Sequence, residues 1–284
     1  MLDQKSIEEI IKEYEKNKSN YQYFKSFIND VSGNDEYVFK EMNRPEKFIN
    51  ESKWLKKLNE LNFAVPELVG TYDNRIVITK KIDAEPISDE DAREHLYNIG
   101  KLIAKLHNLP IEDNINWKDY FTSEYSELKH LANGKIEADI YEVTTKFIEE
   151  HIDDINTSKI SIIHRDVRPE NVLYSDGNYY LLDFESMAVG DSDYDFTRMF
   201  NIFNQKEIYQ YDDFKNFMDG YRSVNNIRLS IEKWQIYKIF YAFRMYTRIL
   251  AGIVNRHATF EEYLKSVLLK NNDRVTLWLK EYNS

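Results

Sequence analysis

A short β segment interrupts the helical pattern in the second half of this chain, and it is dense in polar residues. The apolar run Ile160–Ile163 predicts a strand that leads directly into His164-Arg165-Asp166. Asn171 follows five residues after Asp166, and two strand-like runs then flank the turn Asp176-Gly177-Asn178. The second run ends on Asp183, so the hairpin is expected to bring Asp183 beside Asn171.

Asp166, Asn171 and Asp183 together suit the transfer of a phosphoryl group. Carboxylate and amide oxygens hold Mg²⁺ against the phosphates of a nucleotide, and Asn171 and Asp183 supply such oxygens. A further carboxylate must orient the acceptor hydroxyl and take its proton, and Asp166 is placed for that task. Taken singly, these residues and His164 have ordinary explanations as a turn residue, a strand-end cap and a hydrogen-bonded core histidine. Their combination favours the catalytic interpretation.

Hydrophobic periodicity divides the chain into a β-rich part and a helical part. With 284 residues, of which 42% are hydrophobic, the chain can form one large domain or two lobes. Up to residue 82 the pattern predicts one helix, from Pro45 to about residue 61, a turn at 29–35, and strands at 20–28, 36–42, 68–72 and 75–80. Amphipathic helices are predicted beyond it at 88–109, 194–203, 231–254 and 260–282. We therefore expect an α+β fold, with a small β-rich N-terminal lobe at 1–82 and a larger, mostly helical C-terminal lobe at 83–284.

Two charged residues of the N-terminal part are predicted to pair. Lys40 lies on the strand at 36–42, and on the following helix Glu51 shares a stripe with Phe48 and Leu55. Glu51 is therefore a charge on an otherwise apolar face. A buried charge requires a partner, and Lys40 is the obvious one. The alternative is that Glu51 lies at the edge of the stripe and points to solvent.

The order of these motifs resembles the protein-kinase superfamily. His-Arg-Asp at 164–166, then Asn171, then Asp-Phe at 183–184 follows the catalytic pattern of that superfamily. Glu185 in place of a glycine after Asp-Phe, and the run Gly-Asp-Ser-Asp-Tyr-Asp at 190–195, resemble its aminoglycoside phosphotransferase branch. The run at 99–107 resembles the first large-lobe helix of that branch. The resemblance covers roughly residues 15–280 and is strongest at 164–195.

The resemblance implies a bilobal, protein-kinase-like small-molecule kinase that uses ATP or GTP with Mg²⁺. Asp166 would be the catalytic base, and Asn171 and Asp183 would be the metal ligands. Lys40 would contact the nucleotide phosphates while Glu51 holds it in place.

The rest of the nucleotide site departs from the protein-kinase pattern. No glycine precedes Gly33, so the Gly-x-Gly-x-x-Gly loop of protein kinases is missing. The segment at 17–21, with Ser19-Asn20, is predicted to cover the phosphates instead, because serine and asparagine still present hydrogen-bond donors. An ordinary turn is the alternative. By analogy alone, the adenine edge meets backbone groups near Lys80 and Ile82.

Several carboxylates follow the proposed metal ligand Asp183 closely. Glu185 and Asp191, with Asp193 and Asp195, would form an acidic wall for a cationic acceptor, and the formal net charge of −11 is compatible with one. The alternative for Asp193 and Asp195 is helix capping, because carboxylates are favoured at a helix N-terminus.

Composition excludes several kinds of site and partner. The chain has no cysteine, which excludes disulfides, thiolate nucleophiles and cysteine-ligated zinc. Its net charge argues against attraction to a nucleic-acid backbone. No apolar run approaches the length of a membrane span, and the first residues lack a signal-peptide pattern. We therefore expect a cytoplasmic monomer or weak dimer that binds a small molecule, and neither nucleic acid nor membrane.

Four functions remain in competition. The favoured one is an antibiotic kinase acting on an aminoglycoside or a similar compound, and the second is a metabolic kinase acting on choline, homoserine or a sugar. A protein kinase is disfavoured because the chain lacks an Ala-Pro-Glu segment after Asp183. A non-catalytic, kinase-like binding protein would normally have lost a metal ligand or the base, and this chain retains them.

Overall fold

The computed structural model describes residues 6–24, 29–88, 90–112, 115–155, 159–226, 228–254, 258–269 and 273–284. The chain divides into two compact units. The first comprises Met1–Ala92 and Pro169–Met187, and the second comprises Arg93–Arg168 and Ala188–Ser284. Each unit therefore takes two segments of the chain, whereas the sequence pattern predicts two continuous lobes. None of the helices within the described ranges is long and apolar enough to cross a membrane.

A five-stranded antiparallel sheet forms the centre of the first unit. In chain order its strands are β1 (Gln22–Phe24), β2 (Asp30–Gly33), β3 (Tyr37–Glu41), β4 (Leu68–Tyr72) and β5 (Ile76–Lys80). Their spatial order is β1-β2-β3-β5-β4. Side chains alternate between the two faces, so Tyr37 and Phe39 of β3 enter an apolar core while Lys40 points to the opposite face. The predictions for β3, β4 and β5 are confirmed.

A helix that the sequence pattern did not predict, α1 (Ile7–Asn17), precedes the sheet. It begins with a capping box, in which the Ser6 hydroxyl accepts from the Glu9 amide and the Glu9 carboxylate accepts from the Ser6 amide. Its buried residues Ile10, Ile11 and Tyr14 pack in the core with β3 and β5. The prediction of a single helix before residue 82 is wrong because charged residues dominate this segment and hide its narrow apolar stripe.

Two further predictions near β1 need correction. Residues Lys18–Asn20 form a 3₁₀ turn, so the strand begins at Gln22, and residues 25–28 of the predicted strand lie outside the described residues. The predicted turn at 29–35 contains β2, because Ser32 and Gly33 are buried and pair with Phe39 and Val38 of β3. Pairing with the neighbouring strand outweighs the turn-forming composition of this segment.

A second helix and a hairpin complete the first unit. The predicted helix α2 (Pro45–Glu60) is confirmed and packs on β4 and β5. The hairpin consists of β8 (Val172–Ser175) and β9 (Asn178–Leu181), and the short strand β6 (Glu85–Pro86) pairs with β8. The Leu181 amide of this hairpin donates to the carbonyl oxygen of Ala64 (2.9 Å).

The second unit is mainly helical. Its helices are α3 (Ala92–Leu106, whose first residue falls in the first unit), α4 (Trp117–Ala132), α5 (Ala138–His151), α6 (Phe196–Gln205), α7 (Tyr211–Arg222), α8 (Ile231–Leu250), α9 (Ala258–Leu269) and α10 (Arg274–Tyr282). The strands β7 (Ile160–Ile163) and β10 (Ala188–Asp191) form an antiparallel pair. The single helix predicted at 260–282 is two helices, with 270–272 outside the described residues. Asp273 caps α10 by accepting from the Thr276 amide (2.9 Å).

Two glycines let α3 and α7 cross at close range. A Cβ atom on Gly100 would lie 2.1 Å from the carbonyl oxygen of Phe217, and one on Gly220 would lie 1.9 Å from that of Tyr97. Both distances are far below van der Waals contact, so larger residues would force the helices apart. This crossing brings His107, just after α3, within hydrogen-bond distance of Tyr221 on α7 (2.8 Å).

Candidate active site

Asp195 is the residue that holds the loop at His164 and Arg165. Its carboxylate accepts from the His164 amide (2.8 Å) and the Arg165 amide (2.5 Å), and its Oδ2 lies 3.0 Å from Nε2 of His107. Burial alone would raise the pKa of Asp195, but the bonds from His107 and the charge of His164 outweigh it and the pKa lies below its usual value. Arg165 has φ +68°, a left-handed backbone conformation that is unfavourable for a residue with a long side chain. Such a conformation is retained where the surrounding hydrogen bonds enforce it.

The role of Asp195 was missed by the sequence reasoning, which treated it as a helix cap or part of an acidic wall. It lies at the start of α6 but makes no side-chain capping bond there, and only 1% of its surface is exposed. No local sequence pattern marks this role, because its partner His107 lies 88 residues earlier in the chain.

The proposed base Asp166 lies between two guanidinium groups in the second unit. Its Oδ2 is 3.3 Å from Nε of Arg168 on the same loop, and its Oδ1 is 3.4 Å from Nε of Arg198 on α6. Its backbone amide donates to Nδ1 of His164 (3.3 Å). The side chain is 29% exposed, so it is positioned by the protein and still reaches solvent.

The predicted ion pair of Lys40 and Glu51 is present in the first unit. Nζ of Lys40 lies 2.9 Å from Oε1 of Glu51 and 2.8 Å from Oδ1 of Asp183. Burial lowers the pKa of Lys40, but the two carboxylates outweigh burial and the pKa lies above its usual value. Burial raises the pKa of Glu51, and the charge of Lys40 opposes that shift. Lys40 on β3 thus contacts Glu51 on α2 and Asp183, two residues beyond the end of β9.

Asn171 and Asp183 flank the paired strands of the hairpin. The Leu182 amide donates to the carbonyl oxygen of Asn171 (2.9 Å), which continues the pairing of β8 and β9 by one step. Asp183 has φ +66°, a left-handed conformation that aspartate and asparagine tolerate better than most residues. After it, the Asn50 amide group donates to the carbonyl oxygens of Glu185 (3.1 Å) and Met187 (3.0 Å) and so holds the following turn.

These two residues fit a metal that is shared with a nucleotide. Within the described ranges, no three histidine, aspartate or glutamate side chains group closely enough to hold a metal ion by themselves. Mg²⁺ characteristically takes one or two protein oxygens and completes its shell with phosphates and water. The amide of Asn171 and the carboxylate of Asp183 have that chemistry.

The other residues predicted to bind the nucleotide are dispersed over the first unit. Ser19 and Asn20 are exposed in the 3₁₀ turn between α1 and the start of β1. Phe24, at the other end of β1, is the residue that aligns through β2 with Lys40. Their phosphate contact stays a prediction. The Lys80 amide at the end of β5 donates to the carbonyl oxygen of Glu67 (2.9 Å).

Ile82 lies just beyond β5 in an irregular segment. Its carbonyl oxygen accepts from the Ala84 amide (2.9 Å), and the Lys81 amide next to it donates to the carbonyl oxygen of Glu36 (2.8 Å). The contact of this segment with adenine also stays a prediction.

The predicted acidic wall needs correction because its carboxylates already have cationic or polar partners. Asp191 is fully buried and accepts from Nζ of Lys233 (3.1 Å) and from the Tyr237 hydroxyl (2.5 Å). Glu185 accepts from the amide group of Asn29 (3.0 Å) and lies 3.8 Å from Nζ of Lys47. Burial makes Asp191 inaccessible to an acceptor in solution, and the charge of Glu185 is offset by Lys47.

Lys233 is the cation that contacts both Asp191, at the end of β10, and Asp193 just after it, and its removal should destabilise the fold. Lys233 bonds Asp191 and lies 2.6 Å from Asp193, so the change Lys233→Met would leave the fully buried Asp191 and the partly buried Asp193 without this cation. We expect a loss of about 3–5 kcal/mol in the free energy of unfolding, measured by chemical denaturation. The control is Lys146→Met, which breaks an exposed pair with Glu150 and should cost less than about 0.5 kcal/mol. Equal losses in the two variants would contradict the buried network.

The chain is similar to known phosphotransferases in sequence profile and in fold. The profile of the family described as the phosphotransferase enzyme family matches residues 11–224, more than half of the chain. No curated protein sequence matches it. Among solved structures, a choline/ethanolamine kinase family protein from Mesorhizobium loti superposes with a TM-score of 0.71 at 14% identity, over 92% of this chain and 91% of its own.

Two further solved structures extend this similarity. The choline kinase LicA from Streptococcus pneumoniae gives a TM-score of 0.67 at 18% identity, over 93% of this chain and 98% of its own. The ADP-bound aminoglycoside phosphotransferase APH(2'')-Ib gives 0.64 at 17% identity, over 92% and 96%. At these identities the structural similarity establishes the fold, and it confirms the predicted α+β, protein-kinase-like class. The match of the family profile decides the rest: the chain belongs to the phosphotransferase enzyme family and is a small-molecule kinase.

Proposed function

We propose that this kinase transfers the γ-phosphoryl group of ATP to a hydroxyl group of a small molecule, with Asp166 as the general base. The observation that carries the proposal is the convergence of Glu51 and Asp183 on the Lys40 ammonium group, at 2.9 and 2.8 Å. A lysine held by two carboxylates is a preorganised cation, and a phosphate oxygen is the ligand that such a group suits. The ADP bound to the similar APH(2'')-Ib supports an adenine nucleotide, with GTP as the alternative.

The chain's own residues divide the work of the donor side. Lys40 binds and orients the phosphates, and Glu51 keeps the lysine in position. Asn171 and Asp183 are the proposed ligands of Mg²⁺, which when bound neutralises charge on the phosphates. Ser19 and Asn20 are the proposed cover of the phosphates, and the backbone near Lys80 and Ile82 is the proposed contact of the adenine edge.

The acceptor side is assigned to Asp166. Its carboxylate takes the proton of the acceptor hydroxyl while the acceptor oxygen bonds to the γ-phosphorus and the bond from that phosphorus to the bridging oxygen breaks. ADP then leaves with the electron pair of the broken bond. Arg168 and Arg198 each contact one carboxylate oxygen of Asp166. These contacts fix the orientation of the carboxylate toward the acceptor hydroxyl.

The class of acceptor is narrowed by charge. A polycationic antibiotic requires exposed carboxylates, and the pairing of Glu185 and the burial of Asp191 remove the support that the acidic wall gave to such an acceptor. The residues beside Asp166 are arginines, which repel a polycation. We therefore place a metabolic hydroxyl compound before an aminoglycoside, although similar folds act on both kinds of substrate.

The proposal is tested by an ATP-consumption screen against amino alcohols, sugars, hydroxy acids and aminoglycosides, with and without Mg²⁺. We expect Mg²⁺-dependent formation of ADP that rises with one acceptor class and yields a phosphorylated acceptor by mass spectrometry. A folded protein that binds MgATP but forms no phosphorylated product with any class would contradict the proposal.

A further inference from the structure

Four arginines of the second unit contact either the proposed base or Glu124. Arg168 and Arg198 contact Asp166, and NH2 of Arg165 donates to both carboxylate oxygens of Glu124 (3.0 and 2.9 Å). Arg244 on α8 lies 3.6 Å from the same Glu124. We call these four arginines, together with Asp166 and Glu124, the arginine cluster.

The arginine cluster has an excess of positive charge. Its four guanidinium groups exceed its two carboxylates by two positive charges, in a chain whose net charge is −11. Placing like charges together costs free energy, and a fold that only had to position one aspartate would not require it. An anion bound beside these arginines would be stabilised by this charge.

Tyr241 on α8 connects the two halves of the cluster. NH1 of Arg198 donates to the Tyr241 hydroxyl (2.6 Å), and the guanidinium carbon of Arg198 lies 6.0 Å from the tyrosine ring centre. Burial raises the pKa of Tyr241, the charges of Arg198 and Arg244 lower it, and the charge of Asp166 raises it. Tyr241 and Arg244 lie three residues apart on α8 and so share one face of that helix, which places Arg244 near the hydroxyl group that Arg198 contacts.

Arg244 is the member best suited to meet a ligand. Its side chain is 28% exposed, and its contacts with Glu124 (3.6 Å) and with the Tyr194 hydroxyl (3.5 Å) are long for hydrogen bonds. Arg198, 24% exposed, lies against Asp166. A planar guanidinium fork binds carboxylate and phosphate oxygens in pairs.

We propose that the acceptor carries an anionic group, a carboxylate or a phosphate, and that Arg244 and Arg198 bind this group beside Tyr241 so that the acceptor hydroxyl faces Asp166. This inference rests on the proposed function, because it names the substrate class of the same site. It excludes polycationic antibiotics and choline as preferred acceptors, since both would place positive charge against the cluster.

The test compares hydroxyl compounds that differ only in the anionic group. The pairs are glycerate and glycerol, pantothenate and pantothenol, glucuronate and glucose, and ribose 5-phosphate and ribose, with ethanolamine and kanamycin as cationic acceptors. The measured quantity is kcat/KM for phosphorylated product at saturating MgATP. We expect the anionic member of at least one pair to exceed its neutral partner by about ten- to a hundredfold, the factor of one charge-assisted hydrogen bond.

The variants Arg244→Gln and Arg244→Lys identify the residue responsible. Arg244→Gln should raise KM for the anionic acceptor about ten- to a hundredfold and leave KM for ATP unchanged, and Arg244→Lys should restore part of the affinity. The matched control is Arg222→Gln on α7, since Arg222 is also half-buried and packs on a tyrosine, Tyr282. It should change neither KM.

The outcomes separate this inference from the proposed function. Equal or better use of the neutral or cationic acceptors, or an anion preference that survives Arg244→Gln, overturns the inference while the kinase assignment stands. Turnover with none of the anionic acceptors by a protein that binds MgATP also overturns it. A rise in KM for ATP in Arg244→Gln would assign the cluster to the nucleotide phosphates and reject the acceptor role.

Discussion

Asp166→Asn should lower kcat by about two to four orders of magnitude in a protein that stays folded, because a positioned general base contributes about that factor. Asparagine has the same size and keeps one of the two oxygens, so it can still face one of the guanidinium groups of Arg168 and Arg198. The bonds from the His164 and Arg165 amides to Asp195 are unchanged, so the loop should keep its conformation. KM for ATP should change little, since the base acts on the acceptor hydroxyl. The measurement is single-substrate kinetics with the best acceptor of the screen, together with thermal unfolding.

The control for this variant is Asp176→Asn on the turn of the hairpin. Asp176 is exposed and has φ +47°, which asparagine also adopts, so the change removes one carboxylate ten residues downstream without strain. Its kcat should match that of the unmodified protein. If Asp166→Asn retained full turnover while folded, the assignment of the base would be wrong.

Asp183→Asn should abolish Mg²⁺-dependent phosphoryl transfer, with a loss of at least about a thousandfold in kcat/KM. The change removes the proposed anionic ligand of Mg²⁺, a metal that would contribute several kcal/mol to stabilising the transition state, and each 1.4 kcal/mol is about tenfold in rate. It also leaves Lys40 with Glu51 as its remaining carboxylate partner of the two that it contacts. Asparagine is preferred to alanine here because φ is +66°.

The readout for Asp183→Asn is calorimetry of ATP binding at several Mg²⁺ concentrations, combined with turnover. The dependence of ATP affinity on Mg²⁺ should weaken in this variant and persist in Asp73→Asn, whose residue also has a left-handed conformation (φ +52°) in the turn between β4 and β5. Unchanged affinity together with normal turnover in Asp183→Asn would remove its role as a metal ligand.

The parts of the fold that sequence reasoning predicted well are those with strong local patterns. The helix from Pro45 and the strands at 68–72 and 75–80 have clear periodicity and clear breakers, and the structure reproduces them within a residue or two. The pair of Lys40 and Glu51 followed from one charge on an apolar stripe, and it is present. Such inferences succeed because the periods of helices and strands are local properties.

The errors come from interactions between residues distant in sequence. α1 is rich in charge and buries only a narrow stripe, so its stability comes from packing on β3 and β5. Asp191 is buried and pairs with Lys233, 42 residues away, which its local sequence does not indicate. Asp195 likewise depends on His107, 88 residues earlier. A single sequence does not contain the distances that decide these roles.

The central claim is that this chain moves a phosphoryl group from ATP to a hydroxyl group with Asp166 as the base. The most direct measurement follows labelled γ-phosphate from ATP into the acceptor, in the unmodified protein and in Asp166→Asn, at equal concentrations of folded protein and of MgATP. The account predicts labelled acceptor from the unmodified protein only in the presence of Mg²⁺, and a hundredfold or greater loss of initial rate in the variant, at about the lower end of a base's contribution. Label transfer that is as fast in Asp166→Asn, or that proceeds equally without Mg²⁺, would contradict it.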